Sequence, residues 1–218
     1  MARGRTAQAE MAFIGSSGKT NWSTPESELV LVRRVDAGAR GVAEGVIGLD
    51  PCCNPFAVKT VQPRLACMLE RGENGLAKSW RGHGMVWANP PYGVGEVDLF
   101  TAKAGREFGG ELRAPLGDDQ ALLVVPANCE TRWYHRDLAG QADATCLREG
   151  RIAFLDPETG LPSKESTVRN LFAYFGDRPD VFFNVYQNQG DVRLTPIGAR
   201  RLRARGLDEM VIRLACAT

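Results

Sequence analysis

The chain predicts an α/β sandwich with a mostly parallel sheet, and three observations carry that prediction. Short apolar runs at 45–49, 85–88 and 121–125 have the length of strands rather than of buried helices. Each halts in a turn that holds proline: Asp50-Pro51, Asn89-Pro90 and Pro126. Between them lie stretches whose apolar residues recur at helical spacing, so strands alternate with helices along the chain.

Taken in order, residues 1–20 are small, polar and aperiodic, which reads as a mobile arm ahead of one domain at 21–218. Within the arm, Gly15-Ser16-Ser17-Gly18-Lys19-Thr20 is superficially a phosphate loop, but Phe13 stands where that motif needs its first glycine. In Trp22-Ser23-Thr24-Pro25, Ser23 or Thr24 can cap a helix that has Pro25 as its first residue. Leu29, Val30, Val32 and Val35 give this helix an apolar face up to about Asp36, and Ala37-Gly38 ends it. Residues 59–71 are weakly helical around Pro63. Val97, Phe100, Ala104 and Phe108 define a helix, residues 109–120 a surface loop, and another helix starts near Thr131. Later strands are expected at 144–147, 152–155 and 170–175, with a polar loop at 156–169. Residues 195–205 make a short basic helix and 211–215 a last strand.

At 218 residues, 44% hydrophobic and 24% charged, the chain has the composition of one sizeable soluble domain. No apolar run approaches the roughly 18 to 20 residues of a membrane helix, and no signal peptide is expected, which points to the cytoplasm. Six cysteines without a C-x-x-C pair read as reduced thiols, and two histidines away from them argue against a metal site. A net charge of +1 means that any nucleic-acid-binding surface must be local.

The chemistry is expected at Asn89-Pro90-Pro91-Tyr92. Tandem prolines fix φ and stiffen a loop at a strand's carboxyl end, where open α/β sheets bind ligands. An amine on an aromatic ring is a poor nucleophile because its lone pair is delocalised into the ring. Two acceptors, the Asn89 side-chain oxygen and the Pro90 carbonyl, can take its two hydrogens and stabilise the positive charge that develops on alkylation. Tyr92 can stack on the ring, a contact worth about 1–3 kcal/mol per base. No general base is needed, since the alkylated amine loses its proton readily to water. Asp50 can serve a ribose or an amino group, or it can cap the following helix.

Asn89-Pro90-Pro91-Tyr92 resembles the [DNS]-P-P-[YFW] motif of S-adenosylmethionine-dependent amino methyltransferases. Together with Trp22-Ser23-Thr24-Pro25, Leu49-Asp50-Pro51, Asn74-Gly75-Leu76 leading to Trp80-Arg81-Gly82, Pro126 with Thr131 and Trp133, and Gly150-Arg151 with Phe154, it resembles the phage-type DNA N-6-adenine methyltransferase family over residues 22–175. The resemblance implies a Rossmann-like class I methyltransferase fold, with helices on both faces of the sheet and S-adenosylmethionine as cofactor. It implies catalytic roles for Asn89, Pro90, Pro91 and Tyr92. Trp22, Thr24, Pro25, Asp50, Cys52, Asn54, Asn74 and Leu76 would border the cofactor, although the family's usual glycine-rich loop is replaced by Cys52-Cys53-Asn54-Pro55. Double-stranded DNA would be the partner, with a flipped adenine as target, in a host cell carrying a phage or prophage. Trp133, Arg132 and Arg151 would meet the substrate, and Arg169 and the arginines from Arg193 to Arg205 are further candidates for its phosphates. A relative acting on RNA or on protein glutamine, or a non-catalytic DNA-binding one, is the alternative.

Overall fold

The structure, a computed structural model, describes residues 22–93, 95–110, 112–162 and 168–216, so the N-terminal arm and its glycine-lysine stretch lie outside the described residues. Helix α1 (Glu26–Arg40) leads to β1 (Ile47–Cys53), α2 (Ala57–Val61), β2 (Leu65–Met68) and β3 (Met85–Ala88). Then follow α3 (Glu96–Phe108), β4 (Gln120–Pro126), a π-helical turn (Tyr134–Ala139), β5 (Ala144–Arg148) and β6 (Asn170–Phe175). The chain continues through α4 (Pro179–Tyr186), β7 (Gly190–Leu194), α5 (Pro196–Ala204) and α6 (Asp208–Cys216).

These strands form one seven-stranded sheet in the order β2-β1-β3-β4-β6-β5-β7. The first four run parallel, and the β4–β6, β6–β5 and β5–β7 ladders are antiparallel. Side chains alternate strictly between two cores. Met85, Trp87, Leu122, Val124, Phe172 and Tyr174 face one, under α1, α4, α5 and α6. Val86, Ala88, Leu123, Val125, Ala173 and Phe175 face the other, with Phe100 and Phe108 of α3 and Leu138 of the π turn. Burial on both faces explains why these strands read as continuous apolar runs.

The sheet has its switch point between β1 and β3. From β1 the chain moves outward to β2, and the next strand, β3, is added on β1's other side. Beyond the pairs Ile47–Met85 and Leu49–Val86 the two strands part, and β1 continues against β2 through a bulge between Asp50 and Cys53. Pro51 cannot donate to a ladder, so a proline in an internal strand is tolerated at such an irregularity. The crevice opened there is the ligand position of open α/β sheets.

Several expectations need correction. β1 runs on past Leu49 to Cys53 because the bulge absorbs Pro51. Helix α1 passes through Gly38, where a Cβ would stand 2.7 Å from a Val181 side-chain carbon of α4; this glycine permits helix contact, and Gly41 at φ 68 ends the helix. Neither Ser23 nor Thr24 caps α1; Pro25 occupies the N-cap position without a side-chain bond. The segment 59–71 is helical only at its ends, 59–61 within α2 and 69–71 as a 3-10 turn; between them 65–68 give up helix for β2, whose pairing with β1 overrides local propensity. Residues 152–155 are no strand: Ile152 and Phe154 do enter the core, but only Leu155 forms bridges, to Ser23 and Pro162. Residues 211–215 are helical, within α6, and the spacing of Leu207, Met210 and Val211 against the core suits a helix. Among the described residues no helix is long and apolar enough to cross a membrane.

Candidate active site

Strand β3 ends at Ala88, and the loop Asn89-Pro90-Pro91-Tyr92-Gly93 leaves it at the switch point. Both prolines are buried. Three tethers fix the loop besides them. The Asn89 Nδ2 donates to the Trp22 carbonyl at 2.8 Å. The Tyr92 hydroxyl accepts from Asn170 Nδ2 at 3.0 Å and lies 3.4 Å from the Val124 carbonyl. The Gly93 N–H donates to Glu96 Oε2 at 3.0 Å, at the start of α3.

The first tether sets the orientation of the Asn89 amide. A carbonyl accepts only from the NH2 side, so Oδ1 must point the other way. No described residue donates to Oδ1 or to the Pro90 carbonyl. Among the described residues these two oxygen acceptors on the rigid loop are left without a donor. The Tyr92 ring, held by its hydroxyl, meets Phe154 edge-on with centroids 6.2 Å apart. Burial pushes its phenol far above the usual range, so it stays neutral.

Trp22, Ser23 and Thr24 lie against this loop. Ser23 N donates to the Leu155 carbonyl at 2.9 Å and the reverse bond is 2.8 Å, which joins the segment to the residue after Phe154. Ser23 Oγ and Thr24 Oγ1 are buried without a hydrogen-bond partner. Leaving a hydroxyl unpaired among the described residues costs about 1–3 kcal/mol, a cost that a polar ligand would relieve.

Across the crevice, Asp50 is 3% exposed and accepts from the Cys52 N–H at 3.0 Å. Burial pushes its carboxyl up to about 6, against an ordinary 3.8, and the hydrogen bonds from Cys52 and Cys53 restore only part of the shift. The Cys52 thiol is likewise held up by burial and then by the Asp50 charge, although the Asn89 N–H favours its anion. Asp50 does not cap α2; Asn54 does, its Oδ1 accepting from Phe56 and Ala57 at 3.0 and 2.7 Å. Asn74 turns its own loop by accepting from Leu76 N at 2.9 Å. Gly75 presses on β1, where a Cβ would lie 1.9 Å from the Pro51 oxygen, so Asn74 and Leu76 are carried to the same strand end as Asp50.

Asp50 gives a pH prediction. With the folded value near 6 and the ordinary one at 3.8, the folded state holds the proton more tightly, so stability declines as pH rises from 4 through 6. The shift of about two units corresponds to roughly 3 kcal/mol. Asp50→Asn keeps an acceptor for Cys52 and carries no charge. It should unfold at higher urea than the parent at pH 8 and at nearly the same urea at pH 4; equal gaps at both pH values would refute the assignment.

Of the residues expected at the substrate, Arg132 and Arg151 are exposed, but Trp133 is only 7% exposed and packs in the core under α3. Its ring positions its segment rather than lying open for a base. The basic helix α5 follows residues at the amino ends of the strands, opposite the Asn89 loop. There Arg201 Nε binds Asp143 at 2.5 Å, and Arg205 binds Asp180 at 3.1 Å. Arg193 pairs with Asp191 at 2.7 Å. Asn170 and Glu96 escaped the sequence reading, and Asn170 left a signal: one amide opening the apolar run Leu-Phe-Ala-Tyr-Phe. Among the described residues, no cluster of three His, Cys, Asp or Glu side chains could hold a metal ion.

A sheet of this order, helices on both faces and Asn-Pro-Pro-Tyr at its switch point, has the architecture of a Rossmann-like methyltransferase. The profile of the family described as DNA N-6-adenine-methyltransferase (Dam) matches residues 63–178 of the 218, more than half of the chain, and the chain belongs to that family. The matched span runs from before β2 to the end of β6 and contains the Asn89 loop, while Trp22 to Pro25 and Asp50 precede it. No curated protein matches the chain.

Proposed function

We propose that this protein methylates the exocyclic amine of an adenine flipped out of double-stranded DNA, with S-adenosylmethionine as donor. The observation that carries the reading is the pair of free acceptors, Asn89 Oδ1 and the Pro90 carbonyl, on one rigid loop. They would take the two amine hydrogens, draw the nitrogen towards tetrahedral geometry and stabilise its developing charge. Because the loop is already fixed by Trp22, Asn170 and Glu96, little reorganisation is needed when that charge appears. Tyr92 would stack on the adenine and offset part of the few kcal/mol that flipping costs. The proton leaves to water.

The crevice residues fit the donor. S-adenosylmethionine supplies an electrophilic methyl group on a sulfonium together with hydroxyl, amino and carboxyl groups. Ser23 and Thr24 offer unpaired hydroxyls, and Asp50 offers a desolvated carboxylate that a cation or hydroxyl donors would relieve. Trp22, Pro25 and Cys52 would border the donor as well, with Asn74 and Leu76 beside β1. Asn54 is occupied as a helix cap, so its contribution is to shape the turn.

The test is to incubate the purified protein with duplex DNA and donor carrying labelled methyl groups, then to digest the DNA to nucleosides. N6-methyladenine should carry the label. Label in RNA or protein but in no DNA, across varied sequences, would overturn the reading.

A further inference from the structure

At the carboxyl ends of β4 and β5 is a cleft of about 870 Å³ lined by Ala127, Cys129, Leu147, Arg151, Arg169 and Asn188, among others. That volume suits a small ligand or a nucleotide unit. Its walls are joined to the target site. Arg169 directly precedes Asn170, which holds the Tyr92 hydroxyl, and the Arg169 carbonyl accepts from Ala127 N at 2.9 Å. Arg151 stands three residues before Phe154, which meets the Tyr92 ring edge-on. Both arginines are exposed, and neither has an ion-pair partner among the described residues, in contrast to Arg193, Arg201 and Arg205. Two carboxylates also line the cleft: Asp191 is taken by Arg193, and Glu149 is exposed and follows Arg148 in the chain. Arg148 at the cleft wall is held by Glu28 at 3.1 Å, which leaves Arg151 and Arg169 as its available cations.

We propose that this cleft is the subsite for the DNA strand next to the flipped adenine, with Arg151 and Arg169 clamping a flanking phosphate and its neighbour. The inference rests on the proposed DNA reading and deepens it. A base can leave the stack only if the backbone on either side is held, and guanidinium forks suit phosphate oxygens. The cleft adjoins Tyr92 through both Asn170 and Phe154, so a strand gripped there would present its neighbouring base to the Asn89 loop.

The experiment measures affinity for an adenine-containing duplex as a function of salt, using the full chain with S-adenosylmethionine. The variants are Arg151→Gln/Arg169→Gln and, as a control of equal charge on helices outside the cleft, Arg106→Gln/Arg203→Gln. The cleft variant should bind at least about tenfold more weakly at low salt, and its slope of log affinity against log salt should shrink by roughly 1.8, two phosphate contacts' worth. The control should match the parent. An unchanged cleft variant, or a control equally weakened, overturns the cleft while leaving methylation of DNA by the parent intact. A parent that neither binds nor methylates DNA overturns the functional reading and the cleft with it. A second measurement needs no change to the arginines: half-exposed Cys129 lines the cleft, so a duplex with a disulfide tether on the phosphate beside the target adenine should capture the parent protein and not Cys129→Ser. Equal capture of both would also overturn the proposal.

Discussion

Asn89→Ala should lower the turnover number for DNA methylation by roughly 10²–10³-fold, the range seen when one preorganised polar group facing a developing charge is removed. The effect should fall on kcat. In the proposed reaction Asn89 Oδ1 acts most strongly when the amine becomes cationic, whereas the groups proposed to hold the donor, Ser23 and Thr24 beside the loop and Asp50 across from it, are untouched by the substitution. Stability should change much less, because the substitution removes one hydrogen bond, to the Trp22 carbonyl, worth about 1 kcal/mol. Asn89→Asp separates the two functions of the side chain. It retains an oxygen acceptor but sets a second oxygen against the Trp22 carbonyl, so it should keep more activity than alanine while loosening the Trp22 tether. Single-turnover kinetics with saturating DNA and donor would measure this. An alanine variant within tenfold of the parent rate would remove Asn89 from the chemistry.

The Asn89 loop and its place after β3 were legible because their information is local. The strand before it is a run buried on both faces, and tandem prolines can mean only a stiff extended turn. The strands β3, β4 and β6 were readable for the same reason, to within a residue. What the sequence hid depends on distant partners. Pro51 looks like a strand end until β2 is seen to pair across a bulge. Gly38 looks like a helix end until Val181 is found against it. β2 and β7 are four and five residues long and draw their conformation from the ladders beside them. The same holds at the site. Asn89 and Tyr92 could be named from the motif, but Asn170 enters only because the β4–β6 ladder sets it opposite Pro126, within reach of the Tyr92 hydroxyl. The arginines of α5 were candidates for phosphate contact by charge alone. Topology instead places Arg201 against Asp143 at the amino ends of the strands, opposite the Asn89 loop.

That far end of the strands carries the second large effect: Asp143→Ala should destabilise the protein by about 3–5 kcal/mol while leaving the rate per folded molecule unchanged. Asp143 is fully buried and sits immediately before β5. Its carboxylate accepts from Arg113 at 2.8 Å, from Arg201 at 2.5 Å and from the Gly176 N–H at 2.8 Å. Arg113 also reaches Asp177 at 2.7 Å, and Asp177 accepts from Leu116 N, so one carboxylate ties the loop before β4, the end of β6 and helix α5 to the start of β5. Removing it leaves the Arg113 guanidinium with Asp177 alone and the Arg201 guanidinium with no carboxylate but only the Gly110 carbonyl, their side chains 8% and 15% exposed, beside an apolar hole. A loss of that size is a large fraction of the roughly 5–15 kcal/mol that holds a domain of this kind, and the melting temperature should fall by about 10 °C. The cost lies in the uncompensated charges more than in the lost attraction, so Asp143→Leu combined with Arg113→Met and Arg201→Leu should recover much of it. Urea unfolding of the single and triple variants measures both statements. A single variant within about 1 kcal/mol of the parent would show that the network is not what joins these elements, and a triple variant no better than the single would show that its value lies in the hydrogen bonds to backbone rather than in charge balance.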